Sequence, residues 1–98
     1  MKIMLVCAGG CSTSILMNKM KKYAEGENMD LSIEAYGIGD YASHLADYEC
    51  VLLGPQIAYK KGEIEKNTDL PVAVINTMDY AMGKVENIFE LAKSLGVK

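Results

Sequence analysis

Residues 7–14 carry the clearest chemistry in the sequence. Cys7 ends a short apolar run, and the residues that follow it read AGGCSTS. Glycine permits positive φ angles and a close approach of the backbone to a ligand, while serine and threonine offer hydroxyl donors. A cysteine thiolate is a reactive nucleophile. Together these residue types can hold a tetrahedral phosphoryl group beside the sulfur, which suggests a covalent phosphocysteine.

The elements around this segment must bring its groups together. Residues 2–7 form a continuous apolar run, typical of a parallel strand buried on both faces. In a parallel sheet the carboxyl ends of the strands form the edge where ligands bind, beside the amino ends of the following helices. The loop after Cys7 can then aim its backbone N–H groups at one point as an anion nest, and the helix end favours a thiolate. The predicted phosphate-binding loop comprises Ala8, Gly9, Gly10, Cys11, Ser12, Thr13 and Ser14.

The remaining sequence predicts the rest of an α/β domain. A helix is predicted from Ser12 or Thr13 to about Ala24, with an apolar face formed by Ile15, Leu16, Met20, Tyr23 and Ala24. Further strands are predicted at residues 31–36, at an edge of the sheet, and at 50–53 and 72–75. A short helix follows its predicted N-cap, Asp40, and residues 57–67 are predicted as a loop with at most a short helix.

The final helix is the most regular of the predicted elements. Its apolar face comprises Met82, Val85, Ile88, Phe89, Ala92 and Leu95, and Gly96 is its predicted stop. Strands that alternate with helices favour a sheet of four parallel strands covered by helices on both faces. Residues 1–98 are therefore predicted to form one domain.

Composition excludes several classes of function. The net charge is −3 and all ten basic residues are scattered lysines, a distribution that is atypical of proteins that bind nucleic acid or an anionic membrane surface. No apolar segment approaches the roughly 20 residues needed to span a bilayer, and the apolar start is too short for a signal peptide. Cys7, Cys11 and Cys50 form an odd set that does not resemble a disulfide framework. We therefore expect an intracellular protein with reduced thiols.

The stretch CAGGCSTSILMNKM resembles the phosphorylation loop of the enzyme IIB components of the lactose and cellobiose (chitobiose) phosphotransferase family. The length of the chain, the order of its strands, the sequence LLGPQIAYK after the third strand and the closing helix also fit, so the resemblance covers essentially the whole domain. It implies a flavodoxin-like fold whose loop is similar to that of low-molecular-weight protein tyrosine phosphatases. Cys11 departs from the family, in which Met or another uncharged residue is expected at this position.

The resemblance also implies a function and its partners. Cys7 would accept a phosphoryl group from the phosphohistidine of a IIA protein and pass it to a sugar at the membrane permease IIC. The carrier would be a cytoplasmic phosphotransferase that associates transiently with the inner face of the membrane through IIC. It would need no cofactor or metal. Cellobiose, chitobiose and lactose all remain open as the sugar, and a monomer is the simplest state for a carrier that meets two partners.

Three other functions compete with the carrier. Cysteine phosphatases of similar loop sequence place an Arg six residues after the cysteine, where this chain has Thr13 and no Arg anywhere. A redox or metal site would rest on Cys7 and Cys11, whose C-x-x-x-C spacing is weak support, although oxidation to a disulfide would silence transfer. A flavodoxin-like module for a nucleotide or flavin phosphate would use the same nest, but the sequence lacks G-x-G-x-x-G and Trp.

The remaining expectations concern the surface. A carrier must present its sulfur to two proteins, so Cys7 is expected at a shallow, exposed position. Residues 54–59 follow a strand at the same edge and are the predicted partner contact. His44 is expected to be a solvated side chain, while Tyr36, Tyr41 and Tyr48 are expected in the core.

Overall fold

The computed structural model describes residues 1–7 and 13–96, together with the side chains of all of these except Thr13. Four strands alternate with helices along the chain. The strands are β1 (Lys2–Cys7), β2 (Ser32–Gly37), β3 (Cys50–Leu53) and β4 (Val72–Val74). The α-helices are α1 (Thr13–Gly26), α2 (Lys61–Asn67), α3 (Thr77–Met82) and α4 (Val85–Ser94). Two 3₁₀ helices span Tyr41–Asp47 and Pro55–Lys60.

The strands form one parallel sheet in the order β2-β1-β3-β4. This arrangement puts β1 inside the sheet and β2 at an edge, as predicted. In the register, Cys7 lies opposite Gly37 of β2, and Val6 lies opposite Leu53 of β3. The predicted four-stranded parallel α/β fold is confirmed.

Each face of the sheet packs against its own group of helices. On one face, Ile3 and Leu5 of β1 join the apolar sides of α1 and α4 in a buried cluster. On the other face, Met4 and Val6 pack with Tyr41 and with residues of the second 3₁₀ helix and α2. The alternation of side chains along β1 divides it between both clusters, because successive residues of a strand point to opposite faces. The central strand, and Cys7 at its end, is thereby held from both sides.

The predicted final helix is in fact two helices. Gly83 has φ 64 and ends α3, and its backbone N–H donates to the carbonyl of Asp79. Glycine adopts this left-handed conformation without steric cost, which makes it a common helix terminator. Ile88, Phe89 and Ala92 form the buried face of α4 as predicted, but Met82 belongs to α3 and is exposed.

Two smaller predictions also need correction. The region expected to be a loop contains the second 3₁₀ helix and α2, because Ile57 and Ile64 are buried there and two ion pairs support the turns, Lys60–Glu63 at 3.1 Å and Lys61–Glu65 at 3.5 Å. Asp40 stands at the N-cap position of the first 3₁₀ helix, but its side chain makes no capping hydrogen bond. Its carbonyl instead accepts a hydrogen bond of 3.1 Å from the Ser43 hydroxyl.

Candidate functional site at the carboxyl edge of the sheet

Cys7 lies at the carboxyl end of β1, as the apolar run predicts. A glycine lies next to it on each side of β1. Gly37 is its partner on β2, and Gly54 directly follows β3. The backbone N–H of Gly54 donates a hydrogen bond of 3.1 Å to the carbonyl of Val6, which continues the β1–β3 pairing up to the cysteine. The backbone of the thiol residue is therefore fixed by the sheet on both sides.

The amino end of α1 follows Cys7 in the way that an anion site requires. The helix begins at Thr13 and contains no acidic residue in its first turn. The partial positive charge of a helix amino end is therefore not offset by a carboxylate of the same turn. Ser14 lies in this turn and is exposed. The other predicted loop residues, Ala8, Gly9, Gly10, Cys11 and Ser12, lie outside the described part of the chain, so the anion nest stays a prediction.

The side chain of Cys7 is less accessible than expected. Its exposed fraction is 8%, so the expectation of a freely exposed sulfur is wrong for this conformation. Its place explains this, because Cys7 ends a strand that is flanked by β2 and β3. A protein that exchanges groups with this sulfur must reach it from the loop side of the sheet edge.

Cys50 can be set aside as a reactive thiol. It begins β3 at the opposite edge of the sheet and is fully buried, with an exposed fraction of 0%. Burial, with a smaller effect of the neighbouring Glu49 carboxylate, raises the pKa of the Cys50 thiol to about 12. At neutral pH this residue is a protonated member of the core cluster that also contains Ile3.

The only histidine in the sequence is part of an aromatic group. The ring of His44 stacks on Tyr36 with centroids 4.3 Å apart and an interplanar angle of 16°. The hydroxyl groups of Tyr36 and Tyr48 are hydrogen-bonded at 3.0 Å. The expectation of a simply solvated His44 is therefore wrong, and the aromatic contact explains its place. Of the tyrosines expected in the core, Tyr41 is buried, and Tyr36 and Tyr48 are half-buried.

No metal site emerges from these groups. Within residues 1–7 and 13–96, no three His, Cys, Asp or Glu side chains cluster in a way that could hold a metal ion. The same part of the chain contains no helix long and apolar enough to cross a membrane.

Several exposed apolar side chains lie on helices that follow the strands at the carboxyl edge. The large hydrophobic side chains that are exposed in the described residues are Ile15 at 67%, Tyr59 at 77%, Met78 at 60% and Met82 at 58%. All of them lie on helices that directly follow β1, β3 or β4. Ile15 was expected on the buried face of α1, but it is exposed, whereas the adjacent Leu16 is buried in the core. We call these four residues the apolar rim.

A groove lies between α1 and α3, and one residue of the rim, Ile15, lines it. It has a volume of about 210 Å³ and is lined by Ile15, Leu16, Lys19, Tyr80, Ala81 and Gly83. The residue that could have predicted this groove is Gly83. It ends α3 as a separate short helix, and residues of α3 and of the first turns of α1 line the groove. Tyr59 lies within residues 54–59, where partner contact was predicted.

Comparison with known proteins identifies the family. The model of the family described as "PTS system, Lactose/Cellobiose specific IIB subunit" matches residues 2–91. The chain belongs to this family of IIB components. The IIB fold is thus the frame in which Cys7 and the apolar rim must be interpreted.

Individual relatives cover nearly the whole IIB chain. It is 37% identical to the oligo-beta-mannoside-specific EIIB component of Bacillus subtilis (strain 168), over 98% of this chain and 96% of the relative. It is also 37% identical to the cellobiose-specific EIIB component of Lactococcus lactis subsp. lactis (strain IL1403), over 95% of this chain and 94% of the relative. A lactose-specific EIICB component of Staphylococcus haemolyticus (strain JCSC1435) is 31% identical over 68% of this chain, which corresponds to 12% of that larger protein.

A solved structure supports the same fold. The solution structure of a cellobiose-specific phosphotransferase IIB component from Borrelia burgdorferi is similar with a TM-score of 0.80 and 35% identity, covering 97% of this chain and 90% of that chain. The IIB chain is therefore a component of a sugar phosphotransferase system. Its relatives carry names with different sugars.

Proposed function

We propose that this IIB chain carries a phosphoryl group on Cys7, accepting it from the phosphohistidine of a IIA protein and transferring it to a sugar at the permease IIC. The single observation that supports this most is the location of Cys7 at the carboxyl end of the central strand, directly before the amino end of α1. That position combines a nucleophilic sulfur with the end of a helix that favours negative charge.

The first transfer is a displacement at phosphorus. The Cys7 thiolate attacks the phosphoryl group in line, the S–P bond forms, and the N–P bond of phosphohistidine breaks. The histidine leaves as neutral imidazole, with its proton on the other ring nitrogen. Backbone N–H groups of the predicted loop, Ala8 to Ser14, stabilise the charge on the phosphoryl oxygens during transfer.

The second transfer returns the thiolate. A sugar hydroxyl oxygen, held by IIC, attacks the phosphorus, the S–P bond breaks, and the hydroxyl proton passes to solvent. The chain has no Arg that would grip the equatorial oxygens and promote attack by water, as cysteine phosphatases require. A carrier needs this restraint, because hydrolysis would waste the group.

The partners follow from the same scheme. The name EIICB combines the designations IIC and IIB for one protein, which supports IIC as the acceptor protein. The apolar rim lies on helices that follow the strands at the edge that carries Cys7, and it suits short-lived contacts with two proteins that must use one sulfur in turn. We place the chain in the cytoplasm, meeting the membrane through IIC, as a monomer. The sugar is proposed to be a β-linked disaccharide, such as cellobiose, chitobiose or lactose, and its choice belongs largely to IIC.

Mass spectrometry tests the proposal directly. The chain is incubated with phosphoenolpyruvate, the general phosphotransfer proteins and candidate IIA proteins, then analysed intact and by fragment ions. Cys7→Ala and Cys11→Ala serve as paired controls. A phosphoryl adduct assigned to Cys7, absent in Cys7→Ala, is expected. An adduct on Cys11 alone, or release of phosphate from an aryl phosphate without any adduct, would contradict the carrier.

A further inference from the structure

Gly54 is held beside the cysteine at the carboxyl edge. Val6 pairs with Leu53, and the Gly54 N–H donates to the Val6 carbonyl at 3.1 Å. Adjacent strands lie about 4.8 Å apart, so the residue after Val6 and the residue after Leu53 are lateral neighbours. A group that lies over Gly54 is therefore next to the residue that carries the sulfur.

The side chain of Gln56 folds back over Gly54. A Cβ atom built on Gly54 would stand 2.8 Å from Oε1 of Gln56 and 3.7 Å from the ring of Tyr80. Gly54 has φ −63 and ψ 148, which any residue adopts. Conformation therefore does not require glycine here. The absence of a side chain matters because it leaves room for Gln56.

The backbone around Gln56 is well anchored although its side chain is exposed. Pro55 starts the second 3₁₀ helix, the Ile57 N–H donates to the Gly54 carbonyl at 3.1 Å, and the Ile57 side chain is fully buried. Tyr80, whose ring also borders the space over Gly54, packs against the core cluster that contains Ile3. The backbone that bears the Gln56 side chain is thus held at the edge by a short turn.

We propose that the Gln56 carboxamide donates a hydrogen bond to the phosphoryl group on Cys7, and that Gly54 provides the space for it. The Nε2 donor is bonded to the same carbon as the Oε1 that lies over Gly54, and rotation of the amide exchanges the two atoms. This assignment rests on the carrier function proposed above. In a chain without Arg, a neutral donor from the 3₁₀ helix after β3 complements the predicted loop and orients the group without adding a full positive charge.

Alkylation of Cys7 tests the placement without any phosphoryl transfer. The rates of modification by iodoacetate, an anion, and by iodoacetamide, which is neutral, are compared by fragment-ion mass spectrometry. In Gln56→Glu the ratio of iodoacetate to iodoacetamide rates at Cys7 is expected to fall about 3–10-fold, because a carboxylate near the sulfur repels the anion. The matched control is Asn18→Asp, the same change of charge at an exposed position of α1. A ratio that falls no more in Gln56→Glu than in Asn18→Asp would overturn the placement.

Transfer kinetics test the role. Gln56→Ala is expected to slow transfer from phosphorylated IIA about 10–100-fold, as for a lost hydrogen bond to a charged group, while leaving the alkylation ratio within about twofold of the unaltered chain. Gly54→Ala is expected to slow transfer similarly by displacing Gln56, and the double variant is expected to lose no more than either single one. Unchanged transfer in Gln56→Ala would overturn the assignment. If Cys7 never accepts a phosphoryl group, the carrier proposal fails instead, and the alkylation ratio still reports where Gln56 lies.

Discussion

Cys7 and Cys50 lie on neighbouring strands, β1 and β3, but at opposite edges of the same sheet. Cys50 is Ile3's partner in the register, surrounded by apolar side chains, and burial raises its thiol pKa to about 12. Cys7 ends its strand directly before the loop and the amino end of α1. The difference teaches that direction within a parallel sheet, and not residue type, decides which thiol is suited to chemistry.

The two edges differ beyond their cysteines. The amino edge is closed by polar contacts: the N-terminal ammonium donates to the carbonyl of Asp30 at 2.9 Å, and the Lys2 N–H donates to the Glu49 carboxylate at 3.1 Å. The carboxyl edge carries the apolar rim and the side chain of Gln56. The amino edge therefore makes hydrogen bonds within the chain, whereas the carboxyl edge leaves apolar side chains exposed.

The largest expected effect separates the two cysteines by function. Cys7→Ser should keep the fold but lower sugar phosphorylation by at least about 1,000-fold, because a serine hydroxyl is a far weaker nucleophile than a thiolate. Cys50→Ala should transfer at nearly the rate of the unaltered chain. A reconstituted assay with IIA and membranes containing IIC measures both. Full phosphoryl transfer by Cys7→Ser would contradict the assignment of the reaction to Cys7.

The next effect concerns stability, for which we expect substitution of Cys50 to matter more than substitution of Cys7. Cys50→Ser places a hydroxyl in an apolar core and should lower the free energy of unfolding by about 1–3 kcal/mol. Cys7→Ser should cost less, since its side chain keeps some exposure at the sheet edge. Urea unfolding followed by circular dichroism gives both values. Equal losses would show that the two sites are similarly enclosed.

Alkaline pH should sharpen the contrast. The unfolded chain releases the Cys50 proton near the ordinary pKa of 9.0, while the folded chain holds it to a pKa of about 12. The resulting stabilisation is complete below pH 9 and is lost as the pH rises from 9 to 12, with a loss of about 1 kcal/mol at pH 10. Cys50→Ala should lack this part of the slope. Parallel unfolding curves for the two proteins from pH 8 to 10 would contradict the shift.

The smallest effect tests the closed amino edge. Glu49→Ala removes the acceptor of the Lys2 N–H at an exposed position and should cost about 0.5 kcal/mol. Glu49→Gln retains an acceptor and should cost less. Neither change should alter phosphoryl transfer, because both lie at the edge away from Cys7. A slower transfer rate in either variant would show that contacts at the amino edge affect the reaction at Cys7.

The sequence predicts strands better than helix boundaries in this chain. The runs at 2–7 and 50–53 match β1 and β3 to the residue, because strands buried on both faces read as continuous apolar segments. The break at Gly83 was missed because the apolar spacing continues across it. Ile15 follows the helical period yet is exposed, since periodicity does not show where the core ends.

The site was predictable only in part, for a physical reason. Cys7 and the loop follow each other in the chain, so their type and spacing are visible in the sequence. Gln56 and Tyr80 belong to segments that meet at Gly54, and strand pairing brings Gly54 beside Cys7. Residues 54–59 were predicted as a partner contact, but the space over Gly54 appears only when the sheet is assembled.

The hydrogen bond of the N-terminal ammonium bears on how the domain can be tethered. It holds Met1 at the amino edge, one strand of 6 residues away from the sulfur. At about 3.3 Å per residue this separation is roughly 20 Å. A linker, an affinity tag or a sensor surface joined at Met1 would therefore hold the domain by the end that takes no part in exchange. The domain could then swing between donor and acceptor with Cys7 facing outward, at the high effective concentration that a tether provides.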